Sequence, residues 1–285
     1  MDGKNFSEVK ILRHIIIYLL LFLAGDLLNS LFFDLFFSIV KIPIRELYAI
    51  LRMAGNLLIT YLLFWLYTTK VLHQNMKDFG ITFAVKRWAV LFAIFLPAFV
   101  VFIFGLIGNT MVSEFSFGKI FFIVIAALFM AIKAGVLEEM LFRGYIMRLL
   151  ESKWNKYIAI LLPSFLFSLL HIPSMETFSI AGLLLLVISG TLVGIMFSIV
   201  AYKGNSISNS ILLHAVWNFV IVTDILHITT AQGAYGAPII AIIIPSDNIL
   251  LTGGGFGIEA SVVAVIGYLI VCCLVFILKK IRLFY

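Results

Sequence analysis

The chain has 285 residues, of which 63% are hydrophobic and 12% charged, and its mean hydropathy is +1.17. Soluble domains are about half apolar and a quarter charged, so this composition excludes an ordinary soluble protein and indicates a polytopic membrane protein. The net charge of +6 would suggest a nucleic-acid partner in a soluble chain. Here the cations fall in short loops, so no nucleic-acid partner is expected and the positive-inside rule accounts for them.

Lys4, Lys10 and Arg13 precede an apolar run that is too long for a signal-peptide core and lacks a small-residue cleavage site, so it reads as a retained first span. A spanning helix needs about 20 apolar residues. Eight spans are predicted at 13–40, 46–67, 88–109, 119–150, 157–172, 180–201, 207–227 and 258–278. The fold class is all-α, a polytopic transmembrane helix bundle forming a single integral membrane domain over residues 1–285. The first and fourth spans are long enough to tilt or kink, and Pro173 closes the fifth. Lys70, Lys77, Lys86 and Arg87 lie between spans two and three. Arg148, Lys153 and Lys156 lie between four and five, Lys203 between six and seven, and Lys279, Lys280 and Arg282 after eight. This bias puts both termini in the cytoplasm, with Lys41 and Arg45 running against it.

Several features along the way read as structural. Asp26, Asp34 and Lys133 sit in spans without a chemical partner in their own helix, so interhelical pairing is expected. The adjacent Cys272 and Cys273 fit small core residues and form no zinc or disulfide pattern. The segment Gly233 to Gly257 includes Thr252-Gly253-Gly254-Gly255-Phe256-Gly257. It lacks the Gly-Lys-Ser/Thr ending of a phosphate loop and reads as a flexible outer loop. Its apolar stretch Pro238 to Ile244 is expected to dip into the interface.

The fourth span is different in kind. It carries Glu138, Glu139 and Arg143 where a membrane helix should be apolar, and a charge near the bilayer centre costs on the order of 2.5–3.5 kcal/mol. Glu139 and Arg143 are i,i+4 neighbours and can pair on one face. Glu138 is rotated by about 100° and lacks that partner. A buried ion pair that glues helices explains Glu139 and Arg143 but not a second glutamate. Span five adds Phe167 and His171, and span seven adds His214 and Asn218. A lone histidine in an apolar helix is more often a hydrogen-bonded core residue than a ligand. Depth argues otherwise: at about 1.5 Å per residue, Glu138 and His171 each lie about 22 Å from the nearest cationic loop, and His214 about 17 Å. Three helices thus carry an ionisable group to similar depth from one face.

A glutamate can take a proton from water. Histidines can bind a metal or donate to an oxyanion, and Asn218 shares the face of His214 and supplies a further donor. Together these residues suit hydrolysis of an amide within the membrane. His-Glu-x-x-His and Gly-x-Ser-x-Gly are absent, and no paired aspartates flank a proline or glycine signature.

These three groups resemble the CPBP (Abi) membrane proteins, prokaryotic relatives of the type II CAAX prenyl endopeptidases. The family pattern Glu-Glu-x-x-x-Arg, Phe-x-x-x-His, His-x-x-x-Asn/Asp reads here as Glu138 to Arg143, Phe167 to His171 and His214 to Asn218. The motifs lie in order, each on its own predicted span, within a catalytic core at 119–227. The resemblance implies an intramembrane endopeptidase acting on a membrane-associated or membrane-embedded peptide or protein, in the cell membrane and in contact with lipid. Glu138 would activate water, with Glu139, His171, His214 and Asn218 in the catalytic set and Arg143 and Phe167 in support. His171 and His214 are the candidate ligands of a divalent metal such as zinc. The prenylated substrate class does not carry over. Two other readings stand beside the protease: a non-enzymatic immunity or scaffold protein, and a transporter using Glu138, His171, His214, Asp26 and Asp34 as a polar relay.

Overall fold

The computed structural model describes residues 7–230 and 237–278; Lys4, Lys279, Lys280, Arg282 and the first residues of the Gly233 segment lie outside that range. Six helices are long and apolar enough to cross a membrane: α1 Glu8–Ile39, α2 Arg45–Val71, α3 Arg87–Ile107, α4 Phe117–Glu151, α5 Lys156–Ser174 and α6 Ile180–Gly204. Two shorter apolar helices follow, α7 Ser208–Val222 and α8 Val262–Ile277. The first six match the expected spans within a few residues. The last two are shorter than expected. Thr223 turns extended after a wide π turn at Asn218–Val222, and the chain continues as a strand. At the other boundary, Ser261 caps α8 by accepting from the Ala264 amide, after a 3-10 turn at Ile258–Ala260.

A small sheet closes one end of the bundle. Strands β1 Asn109–Val112, β2 Leu226–Thr229 and β3 Ile240–Ile243 are ordered β1-β3-β2, with β1 antiparallel and β2 parallel to β3. The Pro238–Ile244 stretch, expected at the interface, carries β3 of this sheet. Its central residues pair with two strands, and Ile242 and Ile244 are buried in the core with Phe104 and Leu226. The glycine-rich segment that follows is also more ordered than a flexible loop. It forms hydrogen-bonded turns, and Gly257 at φ 89° takes a backbone conformation that favours glycine.

Tertiary packing explains why α4 can carry charge. With almost no hydrophobic force between helices in lipid, close backbone approach and polar contacts hold the bundle. On α6, Gly190 and Gly194 are one turn apart and face Ser168 and Ser164 of α5; a Cβ at Gly194 would sit 2.8 Å from Ser164 Cα. A Cβ on Gly135 of α4 would lie 3.1 Å from that of Ala215 on α7. At the opposite end from the sheet, Tyr18 of α1 stacks on Tyr145 of α4 with ring centroids 3.9 Å apart.

Asp26 and Asp34 of α1 do pair between helices. Asn56 donates to Asp26 at 3.0 Å, and Arg52 forms an ion pair with Asp34 at 3.0 Å, both across to α2. Lys133 departs from the expectation: among the described residues it forms no ion pair within 4 Å, and it lines the cavity described next.

Candidate active site

The α4 helix does not run as a regular α-helix through the motif. Its i→i+4 ladder gives way at Met140–Ile146 to a π-helical stretch, a feature frequent at functional sites. Every side chain of that stretch is buried. Arg143 Nη1 donates to Glu139 Oε1 at 2.9 Å, and both side chains are fully buried. The guanidinium also donates from Nη2 to the Gly194 carbonyl at 3.0 Å, which the close α5–α6 approach leaves within reach. Phe167 and Phe197 close around it, with ring centroids 4.7 and 5.3 Å from its central carbon. The i,i+4 pairing expected from the sequence is present, reinforced by a backbone acceptor and two aromatic faces.

Glu139 has a second partner. His214 Nδ1 lies 3.0 Å from the same Oε1. A carboxylate oxygen only accepts, so Nδ1 is the donor and Nε2 is left for other work. The ring is stacked on Phe197 at 4.8 Å, and its Nε2 faces Glu138 Oε2 across 3.8 Å. That carboxylate oxygen is buried without a hydrogen bond to protein. His171 repeats the device. Its Nδ1 donates to the Phe167 carbonyl at 2.8 Å, its ring packs 4.6 Å from that of Phe167, and Nε2 is again left over.

Glu138, Phe167, His171, His214 and Asn218 line one cavity of about 250 Å³. The motifs of three helices therefore meet, as their matched depths suggested, while Glu139 and Arg143 lie behind the wall and hold it. A second cavity shares Lys133, Glu138, His171 and Ser174 with the first and opens between α1 and α2 past Leu23 and Asp26. A third, toward the sheet, shares Met130, Ser174, Val222, Phe256 and Glu259, and its mouth carries Arg45, Asp224 and His227. The hydrogen bond from His227 holds the Asp224 carboxyl below its ordinary range. Two further cavities thus adjoin the one lined by Glu138, His171 and His214.

As to metal, each histidine offers one Nε2. Among the described residues, however, no three His, Cys, Asp or Glu side chains converge as ligands could. The set does not close a zinc site, which needs at least three protein ligands. No step below is routed through one.

Residues 118–220 match the family model Type II CAAX prenyl endopeptidase Rce1-like. The Rce1-like segment begins with α4 and takes in all three motifs. The likeness is to CAAX-protease-type endopeptidases at family level. The helices around it make this a multi-pass membrane protein. Comparison with curated proteins returned no match.

Sequence reasoning missed Glu259, which lines this cavity from outside the Rce1-like segment. Glu259 accepts from Trp217 Nε1 at 2.8 Å, and Tyr268 of α8 donates to its backbone carbonyl at 3.0 Å. The available signal was a lone carboxylate at the lip of the last apolar run.

Proposed function

We propose that this protein is an intramembrane endopeptidase in which Glu138 activates the hydrolytic water. The observation that carries the reading is the buried, unbonded Glu138 Oε2 facing His214 Nε2 at 3.8 Å. Both atoms are acceptors in this tautomer, and the spacing suits one water that donates a hydrogen to each. Its lone pairs then point away from both, toward a carbonyl carbon. Glu138 takes a proton as the water oxygen bonds to that carbon. The Asn218 amide donates to the oxyanion as it forms, in a low-dielectric site where such a donor is worth most. The carbon–nitrogen bond breaks, Glu138 returns its proton to the leaving amine, and a carboxylic acid and an amine result. His171 Nε2, on the same cavity, is placed to hydrogen-bond the leaving amine.

Glu139 and Arg143 serve as positioning residues. Glu139 sets the His214 tautomer by accepting from Nδ1, and Arg143 neutralises Glu139. The substrate is a membrane-embedded or membrane-associated peptide or protein in contact with lipid. The cationic loops argue for the cell membrane with both termini cytoplasmic.

The test is a proteomic comparison of membranes from cells carrying wild type and Glu138→Ala. Membrane peptides cleaved only in the wild type are expected. Identical peptide sets, with both proteins folded and abundant, would overturn the reading in favour of a non-enzymatic scaffold.

A further inference from the structure

Glu259 has a fixed position and, among the described residues, no Lys or Arg partner. It sits on the 3-10 turn Ile258–Ala260 between Gly257 and the Ser261 cap of α8. Trp217 on α7 and Tyr268 on α8 each hold it by one hydrogen bond, and their rings pack 5.5 Å apart. The carboxylate borders both the catalytic cavity and the cavity toward the sheet, within electrostatic reach of Glu138, His171 and His214. Its side-chain donor is a neutral indole. Among the described residues no Lys or Arg pairs with it, and Lys133, the one Lys or Arg lining the catalytic cavity, pairs with neither glutamate there. A carboxylate withdrawn from water is costly without a cation.

Its place at a helix end indicates where a cation would come from. Glu259 lies just before the apolar helix α8 starts. Lys and Arg flanking a substrate span snorkel toward the ends of such apolar segments. Asp224 stands at the mouth of the adjoining cavity, with Arg45 as the opposing charge.

We propose that Glu259 is a substrate subsite that binds a cationic nitrogen, a Lys or Arg side chain or a free amino terminus, close to the cleaved bond. This rests on the protease reading. A purely structural Glu259, anchoring Trp217, makes a different prediction: Gln keeps the acceptor for the indole and should then serve as well.

The experiment uses labelled single-span poly-leucine peptides ending in Lys, in Gln, or in Gln with an acetylated amino terminus, alongside the proteomic cut set. Bonds cut in a Glu138-dependent manner should be enriched for a nearby Lys, Arg or free amino terminus. Glu259→Gln should lower the wild-type Lys-over-Gln preference in kcat/KM by about tenfold, and Glu259→Lys should turn it toward acidic ends. Loss of preference on acetylation alone would identify the amino terminus as the group bound. A Glu259→Gln protein with the wild-type preference and unchanged melting overturns the subsite. If no cut depends on Glu138, the protease reading fails separately. Binding of the same peptides to Glu138→Ala protein in detergent then decides: a Lys preference lost in Glu138→Ala/Glu259→Gln supports the subsite, and equal binding of the twins overturns it.

Discussion

Replacing Glu139 by Gln should unfold the site rather than only slow it. The change keeps the shape of the side chain but removes the charge that Arg143 Nη1 meets at 2.9 Å, where both side chains have no solvent exposure. Arg143 retains the Gly194 carbonyl and the two phenylalanine faces, none of which carries a negative charge. Stranding one member of a fully buried pair costs about 3–5 kcal/mol, or more than a hundredfold in the folding equilibrium. Loss of the charged acceptor for His214 Nδ1 adds to that cost. The assay is thermal and denaturant unfolding of purified protein in one detergent, with Glu138→Gln measured beside it. Glu138 makes no hydrogen bond through Oε2, so its substitution should leave melting close to wild type while abolishing turnover. The double variant Glu139→Gln/Arg143→Met should recover much of the loss, because an apolar replacement of a buried pair is often neutral or better, and the cycle isolates the pair energy. If Glu139→Gln melts like wild type and loses only turnover, Glu139 belongs to the chemistry and the positioning role is refuted.

Three other outcomes follow from the same geometry. Asn218→Ala should lower kcat by about 10²–10³ with little change in KM, as removal of an oxyanion donor does; a KM effect alone in steady-state kinetics would make Asn218 a binding residue. Gly194→Val should cost about 1–3 kcal/mol as an overpacked interface, because a Cβ there would meet Ser164 at 2.8 Å; unchanged melting would refute the close α5–α6 contact. Chelation should leave the cleavage rate unchanged, because the described side chains offer no three-ligand set; activity lost to chelator and restored by zinc alone would refute the water-only mechanism.

Much of the site was legible because its information is local. An i,i+4 spacing on a helix puts Glu139 beside Arg143 and Asn218 beside His214 wherever the helix lies. Hydropathy sets which segments cross, since a lipid-facing helix must satisfy its backbone internally. Counting residues from cationic loops then compares depths on separate helices, and Glu138, His171 and His214 do share a cavity.

What the sequence could not determine depends on contacts far apart along the chain. Apolar composition alone does not separate a span from a strand buried in a core, so the pairing of Pro238–Ile244 with β1 and β2 was not legible. The second partner of Glu139 is 75 residues away, and the Gly194 carbonyl that meets Arg143 is 51 residues away. Glu259 reaches the cavity because an indole 42 residues earlier holds its carboxylate. Helical periodicity determined which residues share a face; helix packing alone decided what each face meets, because no local rule couples the rotation of one helix to that of its neighbour.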